Sequence, residues 1–184
     1  MSDELIVRHC SPTLAGLKTA NMFTCEFSSL EELKEKIEKF NGHLNEKGVK
    51  FYLLRHKGKK ALIYVCRPGK LSRDLSCEEA KELLEKNGYP CTTIDEQLQV
   101  LSGRLHEFPE FPHEIGLFLG YPVEDVEGFI LNRGENCKSV GAWKVYGDVT
   151  KAEKRFTQYR KCREVYCKKL MEGASLQRLT VAIS

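Results

Sequence analysis

The chain has 184 residues, of which 41% are hydrophobic and 30% are charged, as is ordinary for a soluble globular protein. No apolar run approaches the roughly 20 residues that a membrane-spanning helix needs. The acidic start, Met1-Ser-Asp-Glu, lacks the basic-then-apolar layout of a signal peptide. These features exclude a membrane protein and predict one cytoplasmic domain over residues 1-184.

The net charge of +3 is distributed unevenly along the chain. Residues 77–130 carry 12 acidic and 3 basic side chains, whereas residues 131–184 carry 12 basic and 5 acidic ones. A basic segment can bind nucleic acid, but no aromatic-interleaved or recognised nucleic-acid motif accompanies this one. We therefore favour a basic helix that is solvated and complements the acidic middle, and we expect no nucleic-acid partner.

The eight cysteines show none of the spacings that bind zinc or form a thioredoxin-type pair, since no two are separated by only two residues. In a reducing compartment most of them are expected to be small core residues. The sequence therefore predicts neither a metal site nor a disulfide framework.

In chain order, the first predicted element is a short buried strand over residues 5–8. Ser11 is a good N-cap and Pro12 suits a first helical position, so a helix is predicted from Pro12 to about residue 24. Ser29 opens a capping box before an amphipathic helix that begins at Leu30 and is expected to close near Gly48.

A β-hairpin is predicted next, from the apolar runs 51–55 and 61–66 and the polar link between them. The remaining predictions, in order, are a helix capped at Ser76, a helix capped at Thr93, a proline-stiffened connector at 108–112, a short helix over 113–120, a helix from Pro122, a strand over 139–146, a basic helix and a tail that docks back.

Together these elements predict an α+β fold, with a small, mostly antiparallel sheet covered by about six helices in a single domain. The sheet is expected to take the 51–66 hairpin and the strand around Trp143, with the N-terminal strand as a further member.

The first candidate site is at the predicted junction of strand and helix. There His9 and Cys10 would precede a helix N-terminus, whose free N–H groups and positive dipole favour an anion and lower the pKa of a thiol. Arg8, Ser11 and Lys18 would add hydrogen bonds and positive charge. The same residues also fit a segment without a binding site, in which Cys10 packs in the core, Arg8 points to solvent and Ser11 only caps the helix.

The second candidate site is the pair His113 and Glu114, at a helix start behind two prolines. A stiff loop that presents these side chains suits ligand binding or acid–base chemistry, and a neutral His113 could bind a metal or haem iron. Alternatively, Glu114 satisfies the helix dipole while the neighbouring aromatic residues form core.

Residues 5–9, Leu-Ile-Val-Arg-His, are similar to the strand-borne Leu-x-x-Arg-His-Gly motif of the histidine phosphatases. That resemblance implies His9 as the phosphoryl acceptor and Arg8 as the phosphate clamp. The chain departs from the motif at Cys10, which stands in the place of the glycine, and no later strand ends in His-Gly.

Four segments, "RHCSPTLAGLK", "FPHEIGLFLGYPVEDVEGFI", "GAWKVYGD" and "YRKCREVYCKKLMEG", resemble the family called domain of unknown function 3793. The resemblance extends over nearly the whole chain. It implies a compact, single-domain cytoplasmic protein of an anaerobic Gram-positive bacterium, and it supplies no reaction or catalytic residue.

Three functions stay open from the sequence. The first is a binder of a small anionic or redox cofactor of the haem or flavin class, for which the His9 and His113 segments would have to converge. The second is a protein–protein interaction module that acts through charged faces. The third is phosphoryl transfer at His9; whether the chain is an enzyme is left open.

Overall fold

The computed structural model describes residues 1–90, 92–108 and 110–183, so Cys91, Pro109 and Ser184, which fall within the predictions above, lie outside the described residues. The elements are α1 (Asp3–Leu14), β1 (Ala20–Glu26), α2 (Leu30–Leu44), a 3-10 turn (Asn45–Lys47), β2 (Lys50–Lys57), β3 (Lys60–Cys66), α3 (Pro68–Leu75), α4 (Glu78–Lys86), α5 (Ile94–Glu107), α6 (Ile115–Phe118), α7 (Val123–Leu131), β4 (Ser139–Val140), β5 (Lys144–Val145), α8 (Val149–Met171) and α9 (Leu176–Leu179).

The chain divides into two compact units. Unit 1 comprises Met1–Lys70 and Lys161–Ser184, and unit 2 comprises Leu71–Arg160. We describe each unit by itself, and a single domain over the whole chain stays a prediction.

Unit 1 contains a three-stranded antiparallel sheet in the order β1-β3-β2. β3 is the middle strand, and all its residues except Lys60 are buried. Its β-branched and aromatic residues suit a central strand. The turn to β2 is closed by Gly58, whose φ of 56° is a conformation that glycine adopts without strain.

The core of unit 1 is formed where α1 and α2 pack against this sheet. α1 begins at an N-cap, where the Ser2 hydroxyl accepts a hydrogen bond from the Leu5 N–H at 3.3 Å. Its buried apolar residues recur at helical spacing. The core cluster includes Ile6, Val7, Cys10 and Leu14 of α1, Leu33 and Ile37 of α2, Phe23, Phe51 and Ile63 of the sheet, and Leu176 and Leu179 of α9.

Unit 2 is built from helices and one very short hairpin, in which β4 pairs with β5. Its aromatic cluster centres on Trp143, whose ring stacks on Tyr121 at 4.9 Å and meets the edge of Phe156 at 4.6 Å. Val145 and Ala152 complete the buried part of this cluster.

The α+β class and the small antiparallel sheet are confirmed. The 51–66 hairpin, the helix capped by Ser29 and the helix capped by Thr93 are present, and Thr93 and Glu96 form a complete capping box. The described residues form nine α-helices, more than the predicted six or so, because α3, α6 and α9 are short helices of eight residues or fewer.

The prediction for the N-terminal segment is wrong. Residues 5–8 lie within α1, and β1 occupies the region where the predicted helix was to end. Ser11 and Pro12 lie inside the last part of α1 rather than at a helix start. Pro12 lacks a backbone N–H, and the helix ends two residues later.

Two further predictions need correction. Residues 139–146 form two strands of two residues each in place of one strand, and they lie in their own sheet. The third strand of the larger sheet is β1. The N-cap of α4 is Cys77 and not Ser76.

None of the helices in the described ranges is long and apolar enough to cross a membrane.

Candidate functional site

The residues predicted for the first site lie on two sides of α1. Arg8 and His9 are exposed, whereas Cys10 and Ser11 are completely buried. The Ser11 hydroxyl donates a hydrogen bond to the backbone carbonyl of Val7 within the same helix. All four residues lie well after the N-terminus of α1, so their expected place at a helix N-terminus is wrong. Ligand binding by these residues stays a prediction. A ligand from solvent would meet only Arg8 and His9 here.

Cys10 and Lys18 interact electrostatically in the interior of unit 1. Burial raises the pKa of the Cys10 thiol, and the nearby Lys18 charge opposes this only in part. Burial lowers the pKa of Lys18 to about 8, against the smaller effect of Cys10. The expectation of a lowered thiol pKa is therefore wrong, because an inaccessible thiol that stays protonated is a poor nucleophile.

The second predicted pair lies in unit 2, and its two side chains have different surroundings. Glu114 is buried; it accepts a charge-assisted hydrogen bond from Arg104 at 2.7 Å and another from the Tyr89 hydroxyl at 3.0 Å. His113 is exposed, and its ring lies 5.1 Å from that of Phe129. Glu114 therefore joins Tyr89 and Arg104 within unit 2. Convergence of the His9 and His113 segments stays a prediction.

Unit 1 carries a surface groove of about 630 Å³ between α1 and the end of α8, which we call the α1/α8 groove. The residues that line it from α1 and its N-cap are Ser2, Glu4, Leu5 and Arg8. Those from α8 are Arg163, Cys167, Leu170 and Met171.

The α1/α8 groove has apolar residues that are accessible to a partner. Met171 is 82% exposed, and Leu5 and Leu170 are partly buried. Met is unbranched and adapts to irregular surfaces. Cys167 is a half-buried free thiol in the same groove.

The charge at this groove is mainly positive. Arg8 and Arg163 are exposed, and no ion pair involves either of them among the described residues. His9 stacks on Phe23 at 5.6 Å. Its pKa is lowered, first by partial burial and then by the charges of Arg8 and Arg163. The charges of both arginines therefore lower the pKa of the same histidine, although the arginines belong to different helices.

The last part of α8 extends this positive surface. Over its whole length α8 has eight basic and two acidic residues. Lys161, Lys168 and Lys169 are exposed in unit 1. Lys168 and Lys169 both lie near Glu172, at 4.0 and 2.8 Å, and such exposed pairs contribute little to stability.

A family model described as "Protein of unknown function (DUF3793)" matches residues 6–180. The chain belongs to this family. The resemblance found in the sequence is thus confirmed. No curated protein and no solved structure matches the chain. Within the described ranges of this DUF3793 chain, no group of three or more His, Cys, Asp or Glu side chains could hold a metal ion.

The sequence did not reveal the role of Arg67, a buried side chain of the DUF3793 chain that joins distant segments. Its guanidinium donates hydrogen bonds to the backbone carbonyls of Thr13 (2.6 Å), Leu14 (2.6 Å), Lys47 (3.0 Å) and Val181 (2.8 Å). The one available signal was its position directly after the apolar run of β3.

Asp125 has a corresponding role in unit 2. Its carboxylate accepts hydrogen bonds from the Trp143 indole N–H at 2.7 Å and from the backbone N–H groups of Tyr146 and Gly147 at 2.7 and 2.8 Å. A carboxylate in the first turn of a helix is a common feature, so nothing in the sequence distinguished Asp125 from Glu124.

Proposed function

We propose that this DUF3793 chain is a protein-interaction module that binds an acidic, amphipathic segment of a partner protein in the α1/α8 groove. The observation that carries the proposal is the pair Arg8 and Arg163, exposed on two different helices beside the apolar residues of one groove. It develops the prediction, made from the sequence, of a module that acts through charged faces.

The chemistry of the groove favours carboxylates next to apolar side chains. An arginine guanidinium binds a carboxylate through two parallel hydrogen bonds, and two such groups side by side give both affinity and orientation. Leu5, Leu170 and Met171 can bury apolar groups of the same partner segment. An amphipathic helix laid in a groove is a recurrent way of combining these two contacts.

The two other functions stay predictions without a supporting contact. A haem or flavin site was argued from a helix N-terminus at His9 and Cys10, which lie within α1. Phosphoryl transfer at His9 was argued from a strand, and that segment is helical.

The proposal is tested with a labelled helical peptide of about 18 residues, built from Leu at every third or fourth position and Glu elsewhere. We expect the peptide to bind the whole chain more weakly as salt is added, because charges contribute to the contact. We also expect it to slow the alkylation of Cys167, which lines the groove. Cys77 and Cys137, half-buried thiols of unit 2, serve as internal controls.

The variant Arg8→Glu/Arg163→Glu should weaken peptide binding by about tenfold or more, since two attractive contacts become repulsive. The matched control is Lys57→Glu/Lys60→Glu, which changes the net charge equally at exposed residues outside the groove. Equal weakening by both variants, unchanged alkylation of Cys167 in the presence of bound peptide, or no binding to the unmodified chain would each contradict the proposal.

A further inference from the structure

A second groove, of about 420 Å³, lies on unit 1 between α2 and α9, and we call it the α2/α9 groove. Lys36, Lys39 and His43 line it from one stripe of α2, at successive spacings of three and four residues. All three are exposed. Phe40 and Leu44, each of which directly follows one of these basic residues, add an apolar lining. Like the α1/α8 groove, it therefore combines basic and apolar side chains.

The start of α1 separates the two grooves. Asp3 lines the α2/α9 groove, whereas Glu4 and Arg8 line the α1/α8 groove. Arg8 follows Asp3 by five residues, which places the two side chains about 140° apart around the helix. The two grooves therefore lie on different sides of the first part of α1.

The first turn of α1 is acidic. Asp3 and Glu4 are both exposed in the first turn of α1, where the helix dipole favours them. The α1 edge of each groove thus carries one carboxylate, Asp3 in the α2/α9 groove and Glu4 in the α1/α8 groove. The charged side chains that line the rest of the two grooves are basic: Lys36, Lys39 and His43 in one, and Arg8 and Arg163 in the other.

We propose that one partner segment occupies both grooves and carries its charges in the order acidic, basic, acidic. This inference rests on the proposed function and specifies the partner more closely. Each acidic block meets one basic groove, and the basic block crosses Asp3 and Glu4. A uniformly acidic segment would be repelled at the crossing, and such repulsion is a source of specificity between partners.

The test uses three labelled peptides with Leu at identical helical positions. The first has blocks in the order Glu, Lys, Glu; the second has the same composition in the order Glu, Glu, Lys; the third has Glu throughout. We expect the first peptide to bind the whole chain about tenfold more tightly than the second, because only the first matches all three charged regions.

Two variants test which charged residues cause the tighter binding of the first peptide. Lys36→Glu/Lys39→Glu should remove the advantage of the first peptide over the second, while the third peptide still protects Cys167. Asp3→Asn/Glu4→Gln should narrow the difference in affinity between the first and third peptides, because the lysine block loses its acidic partners. Circular dichroism checks that the helix content of the variant is unchanged. Lys57→Glu/Lys60→Glu again serves as the control for net charge.

Equal affinity of the first two peptides overturns this inference, as does a preference that survives Lys36→Glu/Lys39→Glu. In either case the proposed function stands if the third peptide still protects Cys167 and depends on Arg8 and Arg163. Loss of that protection and dependence overturns the proposed function itself. The two failures are therefore distinguishable in one set of titrations.

Discussion

Arg67 in unit 1 and Asp125 in unit 2 are both buried charged side chains, one positive and one negative, that need hydrogen-bond partners in place of water. Each is an ionisable side chain at most 3% exposed, and neither pairs with an opposite charge among the described residues. Arg67 is surrounded by backbone carbonyls, whereas Asp125 is surrounded by N–H groups. Backbone dipoles thus replace water in unit 1, and backbone dipoles together with the Trp143 indole replace it in unit 2.

The two groups differ in how far apart in the sequence their partners are. Arg67 joins the end of α1, the 3-10 turn and the C-terminal tail, and its contact with Val181 spans 114 residues. Two of its acceptors are carbonyls at the C-terminal end of α1, the negative end of the helix dipole. Asp125 joins α7 only to the segment that contains β5, about 20 residues away.

The largest effect is therefore expected for Arg67→Met. The change removes all four hydrogen bonds of the guanidinium. The carbonyls of Thr13 and Leu14 keep a backbone donor each, from Gly16 and Val181, whereas those of Lys47 and Val181 lose their side-chain donor. We expect the free energy of unfolding to fall by about 3–5 kcal/mol. Urea unfolding followed by circular dichroism measures it. Arg178→Met is the matched control at an exposed position of α9 and should change stability by less than about 0.5 kcal/mol. If the two variants are equally stable, Arg67 does not hold these segments together.

Asp125→Asn should have the next largest effect, a loss of about 2–3 kcal/mol, because one carboxamide oxygen cannot accept from all three donors. Trp143 is the chain's only tryptophan, so its fluorescence reports directly on this site. We expect changed emission together with the lower stability. Glu127→Gln, on the exposed side of α7, should leave both unchanged. Native emission and full stability in Asp125→Asn would show that the hydrogen bonds are replaceable.

The smallest effect is expected at His9, which is exposed and not enclosed by backbone partners. Its folded pKa is below the 6.5 of the unfolded chain, so the unfolded chain takes up the proton first and the folded state loses stability as pH falls through 6.5. His9→Gln should reduce that loss by less than about 1 kcal/mol, since solvent screens the arginines.

The measurement is unfolding of wild type and variant between about pH 7.5 and pH 5. Arg163→Gln removes one of the two charges that lower the pKa of His9 and should reduce the loss in part. Parallel pH profiles for wild type and His9→Gln would mean that the two arginines do not act on His9 in solution.

The sequence predicted well those elements whose determinants are local. Ser29 and Thr93 lie next to the helices that they cap, and β2 and β3 are joined by a turn of two residues. It failed at the N-terminus, where Ser11 and Pro12 looked like a helix start. The actual start is Ser2, whose cap satisfies the same chemistry nine residues earlier.

The amino-acid sequence by itself determined the α+β class, the family, the capped helices and the hairpin, because neighbouring residues specify them. Only the tertiary structure decided the burial of Cys10, the enclosure of Arg67 and the presence of Arg8 and Arg163, which are 155 residues apart in the numbering, in one groove. These three features depend on which segments, distant in the sequence, pack against each other. The periodicity of apolar residues predicts helices and strands but does not predict which of them pack together.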